Sequence, residues 1–366
     1  MRLSCQRGWV FRFRIRFLGR LIALGILASR GGAAACDLCG CYTPQLDALQ
    51  HSVNGSAVGL PDTEQAFAHG FYAAVAEQFT HFNTLLLDGQ EVSNPTDQHL
   101  ESSITQLVAG YSFASRFGLQ LNVPLIYRAF ERPKGFAVES GTESGLGDIS
   151  LLGNFVLFHK ETGGRRAVNF DDPKSPHLQD SPPDFAVSIV LTGGVKFPTG
   201  DSSRLKEEFH ELEIPGTPAS GIHGHDLTLG TGSFDGIFAG QGALRYRDYF
   251  MEASAQFTLR GDGAHQYHFA NDLTWSGGPG YYVVHRPDAV VGLQCAFSGE
   301  YKDVDRFRGA AAEDTGITSV FVGPRIVASY RNLSAELAGE LPVAIHNTAL
   351  QLVPDFRIRS SISIHF

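Results

Sequence analysis

Phe356-Arg357-Ile358-Arg359-Ser360-Ser361-Ile362-Ser363-Ile364-His365-Phe366 closes the chain. Phe356, Ile358, Ile362, Ile364 and Phe366 fall on one side of a period-two pattern, and Arg357, Arg359, Ser361, Ser363 and His365 on the other. A soluble edge strand would turn the first set to a core and the second to water. A strand that runs into a terminal aromatic residue fits the closing strand of a transmembrane barrel better. In such a strand the apolar face meets lipid, the polar face lines a lumen, and an aromatic ring sits at the interface. Phe366 is then the signal through which a barrel-assembly machinery would recognise the chain.

Working outward, the same alternation recurs from Phe71 to the end. Twelve strands are expected, at 70–82, 103–114, 118–128, 147–158, 185–196, 232–246, 248–260, 266–276, 289–301, 317–330, 333–341 and 355–366. Each is near the length a tilted barrel strand needs. In 118–128, Leu119, Leu121, Val123, Leu125 and Tyr127 oppose Gln120, Asn122 and Arg128. In 248–260, Tyr249, Met251, Ala253, Ala255, Phe257 and Leu259 oppose Glu252, Ser254, Gln256, Thr258 and Arg260. A series of such strands with no helical period between them predicts an all-β, antiparallel up-and-down transmembrane barrel. An even strand count places the short turns at 114–118, 245–248 and 331–332 on the periplasmic side. The long connections 83–102, 129–146, 197–231, 302–316 and 342–354 fall outside. A long connection at 159–184 and a short one at 261–265 run against that asymmetry.

The rest of the composition agrees. Charged residues make up 18% of the 366 and aromatic residues 11%, with 41 glycines. Mean hydropathy is near zero, as expected where only alternate residues meet lipid. Residues 1–35 carry a basic stretch, a short apolar run at Leu21–Ala28 and the small residues Ala33-Ala34-Ala35, the pattern of a secretory signal peptide. Of the 29 basic side chains, seven lie in residues 1–35, which hold no acid. Removing that segment leaves 22 against 38 acids, a net charge of −16. That balance speaks against nucleic acid as a partner.

Residues 36–66 read as a Cys-rich periplasmic segment and linker, with the barrel from 67 to 366. The segment opens on Cys36-Asp-Leu-Cys39-Gly-Cys41. Three chemistries fit: lipidation of Cys36, a disulfide in an oxidising compartment, or a soft metal ion held by Cys36, Cys39 and Cys41. No histidine follows the C-x-x-C pair, so covalent haem attachment is excluded. Cys295 falls on the lipid side of a strand, as filling.

Three motifs stand mid-chain: Gly145-Leu-Gly147-Asp148-Ile149, Gly194-Val-Lys196-Phe-Pro198-Thr199-Gly200 and Leu229-Gly230-Thr-Gly232-Ser-Phe-Asp235. In this order and spacing the chain resembles the outer-membrane barrels named for the meta-pathway of phenol degradation, over about residues 70–366. That resemblance implies a transporter, distantly similar to the long-chain fatty-acid uptake barrels. It also implies small, hydrophobic or aromatic solutes. Glycine at 145 and 147 lets the chain turn into a strand, and Pro198 ends one because it cannot donate to the ladder. Asp148, Lys196 and Asp235 are placed to pair at the rim or in the lumen. Alternatively, the motif residues serve folding alone.

The last three strands put Arg325, Glu336, Glu340, Arg357 and Arg359 on the lumen side, where a ladder of ion pairs is expected. Glu252, Gln256, Arg260, Gln120, Asn122 and Asp272 join them, without the single-sign ring of a strongly selective pore. Nucleophile-elbow, zincin and P-loop motifs are missing, so no enzyme is expected. His223 and His225, and the acids Asp303, Asp305, Glu313 and Asp314, read as loop residues more readily than as metal ligands. Two functions follow as expectations. One is passive transport of small solutes; the other is a docking barrel whose cysteine segment binds a metal or a periplasmic redox partner.

Overall fold

The computed structural model describes residues 70–114, 116–162, 184–210, 216–286 and 289–366. The expected leader, the Cys36/Cys39/Cys41 segment and most of the 159–184 connection lie outside them. The strands are β1 (Gly70–Leu87), β2 (His99–Ala114), β3 (Phe117–Lys134), β4 (Ala137–Leu146), β5 (Ser150–Thr162), β6 (Phe185–Lys196), β7 (Asp235–Tyr246), β8 (Tyr249–Leu259), β9 (Asp272–His285), β10 (Ala289–Lys302), β11 (Ile317–Tyr330), β12 (Leu333–Asn347) and β13 (Leu350–His365). β4 and β5 both pair with β3 and share one stave, broken at 147–149. Neighbours pair antiparallel in chain order, and β13 returns to β1 from Tyr72↔His365 to Leu87↔Leu350. The result is a closed barrel of twelve staves.

Alternation fixes which face is which. β8 alternates exposed and buried at every residue, with Tyr249, Met251, Phe257 and Leu259 outward and Glu252, Gln256 and Thr258 inward. Apolar surface outside and polar side chains inside is the reverse of a soluble core, and it is the arrangement lipid demands of a barrel. Aromatic rings gather at the end where the chain terminates: Phe71, Tyr249, Tyr330 and Phe366 are all more than half exposed. Cys295 points outward, as expected.

The staves depart from expectation mainly at the opposite, loop end. The expected connections 83–102, 129–146 and 342–354 are largely strand. There β4 is open on both faces, so nothing selects an apolar alternation and the period-two signal fades while pairing continues. The eighth stave is 272–285 where 266–276 was expected. Gly277-Gly278-Pro279-Gly280 hid its lower half, because those residues argue against a strand. Tyr267–His268 belongs instead to a small sheet with Asp305–Phe307 and Ala310–Ala312.

The loop end is uneven. β6, β7 and β8 stop low, while β1, β3, β12 and β13 stand tall. Over the low side residues 197–210 and 216–234 fold back into the mouth as a plug. It carries a 3-10 helix at Ser203–Phe209 and a helical turn at Gly224–Leu227. Leu205, Ile222 and Leu227 are its anchors, each at most 1% exposed.

Candidate lumen site

The three motifs meet at the low rim. Asp148 stands in the break between β4 and β5, Lys196 ends β6, Asp235 begins β7, Arg260 follows β8 and Asp272 begins β9. These five charges occupy consecutive staves with alternating sign, and each touches the next. Lys196 Nζ lies 2.8 Å from Asp148 Oδ2 and 2.7 Å from Asp235 Oδ2. Arg260 bridges Asp235 at 2.9 Å and Asp272 at 2.6 Å. All five side chains are buried.

Backbone and hydroxyl donors complete the carboxylates. Asp148 accepts from Gly200 N–H, Thr231 N–H and the Thr231 hydroxyl at 2.8–2.9 Å. Asp235 accepts from the Ser233 hydroxyl at 2.7 Å and Gly261 N–H at 3.0 Å. The break itself is repaired by Thr199. Its hydroxyl donates to Gly147 O at 2.9 Å and accepts Ile149 N–H at 2.8 Å. Gly200 and Gly230 let two motifs touch: a Cβ on Gly200 would stand 2.7 Å from Leu229 O and 2.8 Å from Gly230 Cα. Gly145 packs against Leu229, and Gly147 against Pro124 and Ile126. Phe197, Pro198 and Thr199 turn the chain off β6, with Phe197 N–H donating to Ile149 O at 2.8 Å.

A second group of charges lies at mid-wall on the other side. Arg325 pairs with Glu336 and reaches Gln294 at 3.2 Å and Glu252 at 3.7 Å. Glu340 takes Arg359 on one oxygen. On the other it takes Arg357 at 3.0 Å and the Ser298 hydroxyl at 2.8 Å. The Arg357 guanidinium also lies 4.0 Å over the Phe321 ring. Gln256 is buried on the same lumen face, opposite Thr274 and Ala239. Between the two groups, Tyr72, Gln120, Asn122, Asn154 and Thr192 form an uncharged hydrogen-bonded row.

Thr199, Thr231 and Ser233 were not singled out from sequence. The signal was present: Thr231, Ser233 and Asp235 are two apart, so one face of an extended segment carries all three. The rim network of Arg132 and Arg204 with Glu139, Glu143 and Glu207 had no such mark. Among the described residues no three His, Cys, Asp or Glu side chains gather as a metal site. His223 lies 3.3 Å from Asp314, and Asp305 accepts the Tyr267 hydroxyl and Ala270 N–H, so these loop groups satisfy one another.

Above the charges sits an apolar cluster inside the mouth. Phe82, Leu85, Leu100, Phe130 and Leu352 come from the wall, and Ile222 and Leu227 from the plug. At the Glu340 level, by contrast, the lumen-facing side chains are polar and packed. Glu340 and Glu252 are 1% exposed and Arg357 4%.

No family model matches the sequence, and neither does any curated protein. Solved structures do. The COG4313 outer membrane channel from Pseudomonas putida F1 is similar over 84% of this chain and all of its own, with a TM-score of 0.54 at 15% identity. The β domain of the Bordetella autotransporter BrkA covers 81% of this chain and 99% of its own, at TM-score 0.40 and 12% identity. A FadL homologue of Pseudomonas aeruginosa covers 92% of this chain and all of its own, at TM-score 0.32 and 8% identity. At these identities the first likeness is one of fold. A closed twelve-stave barrel with an apolar outside and a polar interior is a bacterial outer-membrane barrel.

Proposed function

We propose that this barrel passes small apolar or aromatic solutes across the outer membrane by passive diffusion, as the resemblance to the phenol-pathway barrels implies. The observation that supports this is the cluster of Phe82, Leu85, Leu100, Phe130, Ile222, Leu227 and Leu352 inside the mouth. A pore for polar solutes keeps water and charged rings along its path. Here the loop-end mouth is lined by hydrocarbon and aromatic side chains packed against the plug, and an apolar solute that replaced the plug contacts would be held there by the area it removes from water. The motif charges and the lumen residues from Glu252 to Arg359 hold the walls around that path.

The test is influx of N-phenyl-1-naphthylamine into intact cells, whose outer membrane excludes the dye, with and without the protein. Faster influx supports the reading, and an unchanged rate overturns it. One observation favours the second reading, a docking barrel: the mid-wall charges are packed away from water. In that reading a metal ion or a periplasmic redox partner held at Cys36, Cys39 and Cys41 carries the function. Replacing the three cysteines by serine would then abolish function while dye influx stays at background.

A further inference from the structure

We infer that two copies of this barrel associate within the membrane through the outer face of β1, β2 and β13, around Glu77. The inference stands apart from the passage proposed above. On β1, Tyr72, Ala74, Ala76, Gln78 and Thr80 are buried toward the lumen, so Phe71, Val75, Glu77 and Phe79 face outward. At roughly 2.5 Å of height per tilted residue, Glu77 stands about 15 Å above Phe71, inside an apolar belt about 25 Å tall. A carboxylate is out of place at that depth, because acyl chains offer it no donor. The outward faces of β5, β6, β8 and β10 present Phe155, Leu191, Met251 and Leu293 instead.

Hydroxyls surround this carboxylate. Its rung neighbours are Thr105 on β2 and Ser360 on β13. Both fall on the outward alternation, as Ser103 does, since Ser102, Ile104, Gln106, Arg359 and Ser361 are buried inward. The Ser103 hydroxyl donates to one oxygen of Glu77 and the Thr105 hydroxyl to the other. These bonds take two of the about four lone-pair directions of a carboxylate. The next staves on the same rungs carry Leu125 and Leu337, so the polar patch ends within three staves. Toward the loop end the patch continues through His81, whose Nδ1 lies 3.9 Å from Glu101 Oε1 and whose ring stacks on Phe356 at 5.4 Å.

At this depth the patch meets either acyl chains or another membrane-embedded wall, and only a wall supplies donors. All copies of an outer-membrane barrel cross the membrane in one sense. Two copies that meet by the same patch are therefore related by a twofold axis along the membrane normal, and their groups meet at equal depth. An axis between β1 and β2 sets Glu77 of each copy against the Ser103 and Thr105 hydroxyls of the other. The two carboxylates then lie on opposite sides of the axis, each among the other copy's donors. His81 and Glu101 sit on facing rungs of the same two strands, so that pair exchanges between copies in the same way. Val75, Phe79, Leu107 and Ile358 form an apolar rim around the contact. A ring of copies would instead set Glu77 against a different stave, where the outward side chains named above are apolar.

Photo-cross-linking in intact outer membranes tests the pairing. The photoreactive residue p-benzoylphenylalanine replaces Leu107, beside the axis, or Leu293 on β10 as the control. The cells make the chain with two different epitope tags. The expected result is a band of doubled mass bearing both tags from position 107, and no more than a trace from position 293. Glu77→Leu suits lipid and leaves the lumen side unaltered. It should bring the position-107 band down to the control level while the heat-modifiable folded band persists. Glu77→Gln keeps a hydrogen-bonding group and should retain the doubled band. A position-107 band no stronger than the control, or one that Glu77→Leu leaves unchanged, overturns the inference. So does a Glu77-dependent product of any other mass, which would assign the patch to a different protein. Should Glu77→Leu fail to fold, the comparison of the two positions decides.

Discussion

The lumen holds two chains of buried charge built on opposite plans. The rim chain, Asp148–Lys196–Asp235–Arg260–Asp272, sits where staves end, and backbone N–H groups and hydroxyls complete it. The mid-wall group, Arg325 with Glu336 and Glu340 with Arg357 and Arg359, sits inside strands, on the pairs Arg325↔Ala338, Val327↔Glu336, Ala338↔Arg359 and Glu340↔Arg357. The first therefore stands in for ladder bonds that have run out. The second neutralises charge on a wall that is already joined. The same pairing of arginine or lysine with carboxylates is structural in one place and compensating in the other.

The largest effect that would break this contrast is at Lys196. Lys196→Met leaves Asp148 buried without its cation while Asp235 keeps Arg260. Removing one partner of a buried pair costs about 3–5 kcal/mol. The urea midpoint of the heat-modifiable folded band on gels should fall accordingly. Adding Asp148→Asn should recover most of it, because the uncompensated charge is gone. A double variant as weak as the single one would show that the lysine acts by packing and not by charge.

Arg359→Met should cost less, about 1.5–3 kcal/mol, the worth of a charge-assisted hydrogen bond. Glu340 keeps Arg357 and the Ser298 hydroxyl. If the same urea titration ranks Arg359→Met above Lys196→Met, the assignment of structural and compensating roles is reversed.

How far each chain was legible follows from the same difference. Arg325, Glu336, Glu340, Arg357 and Arg359 lie on consecutive strands with clean alternation, so parity alone put them on one face. The rim charges were each visible, and Asp148, Lys196 and Asp235 were expected to pair. Their continuation through Arg260 to Asp272 was not expected, because strand ends are where alternation is weakest. The starts of β7 and β9 were misplaced by a few residues for that reason. The plug was read only as a long connection. Leu205, Ile222 and Leu227 are too widely spaced in sequence to show a common face before the loop is folded. The end of the β12–β13 pairing at Glu340↔Arg357 was also hidden, since Pro342 and Pro354 read as loop in 342–354.

A smaller effect sharpens the rim side of the contrast. Thr199→Val keeps the shape but removes the hydroxyl that bridges Gly147 O and Ile149 N–H. The expected cost is about 1–2 kcal/mol, two neutral hydrogen bonds at a partly exposed site. It should appear in hydrogen exchange at Ile149 before it appears in the global midpoint. Unchanged exchange there would mean that the break needs no repair.

The smallest expected effect concerns the plug, which lies above both chains. His225 is buried with Nδ1 3.0 Å from Glu208 Oε1 and Nε2 3.4 Å from Asp226 Oδ1. Its ring stacks on His223 and on Tyr267. With a carboxylate at each ring nitrogen, the imidazolium can donate to both. Burial pushes the His225 pKa down, but Asp226 and Glu208 outweigh it and hold it well above the ordinary histidine value. A raised folded pKa means the contribution is complete below the unfolded value of about 6.5 and is lost as pH rises through the folded one. Burial pushes Asp314 up, and His225 and His223 outweigh that and lower it. Its contribution is accordingly present above about 3.9 and lost as pH falls through the lower, folded value. Cleavage of the 197–234 connection by a protease of flat pH profile should therefore accelerate toward alkaline pH. His225→Asn should cleave at the fast rate throughout, with the barrel band unmoved. A wild-type rate that stays level from acid to alkali would mean that the plug is held by Leu205, Ile222 and Leu227 alone.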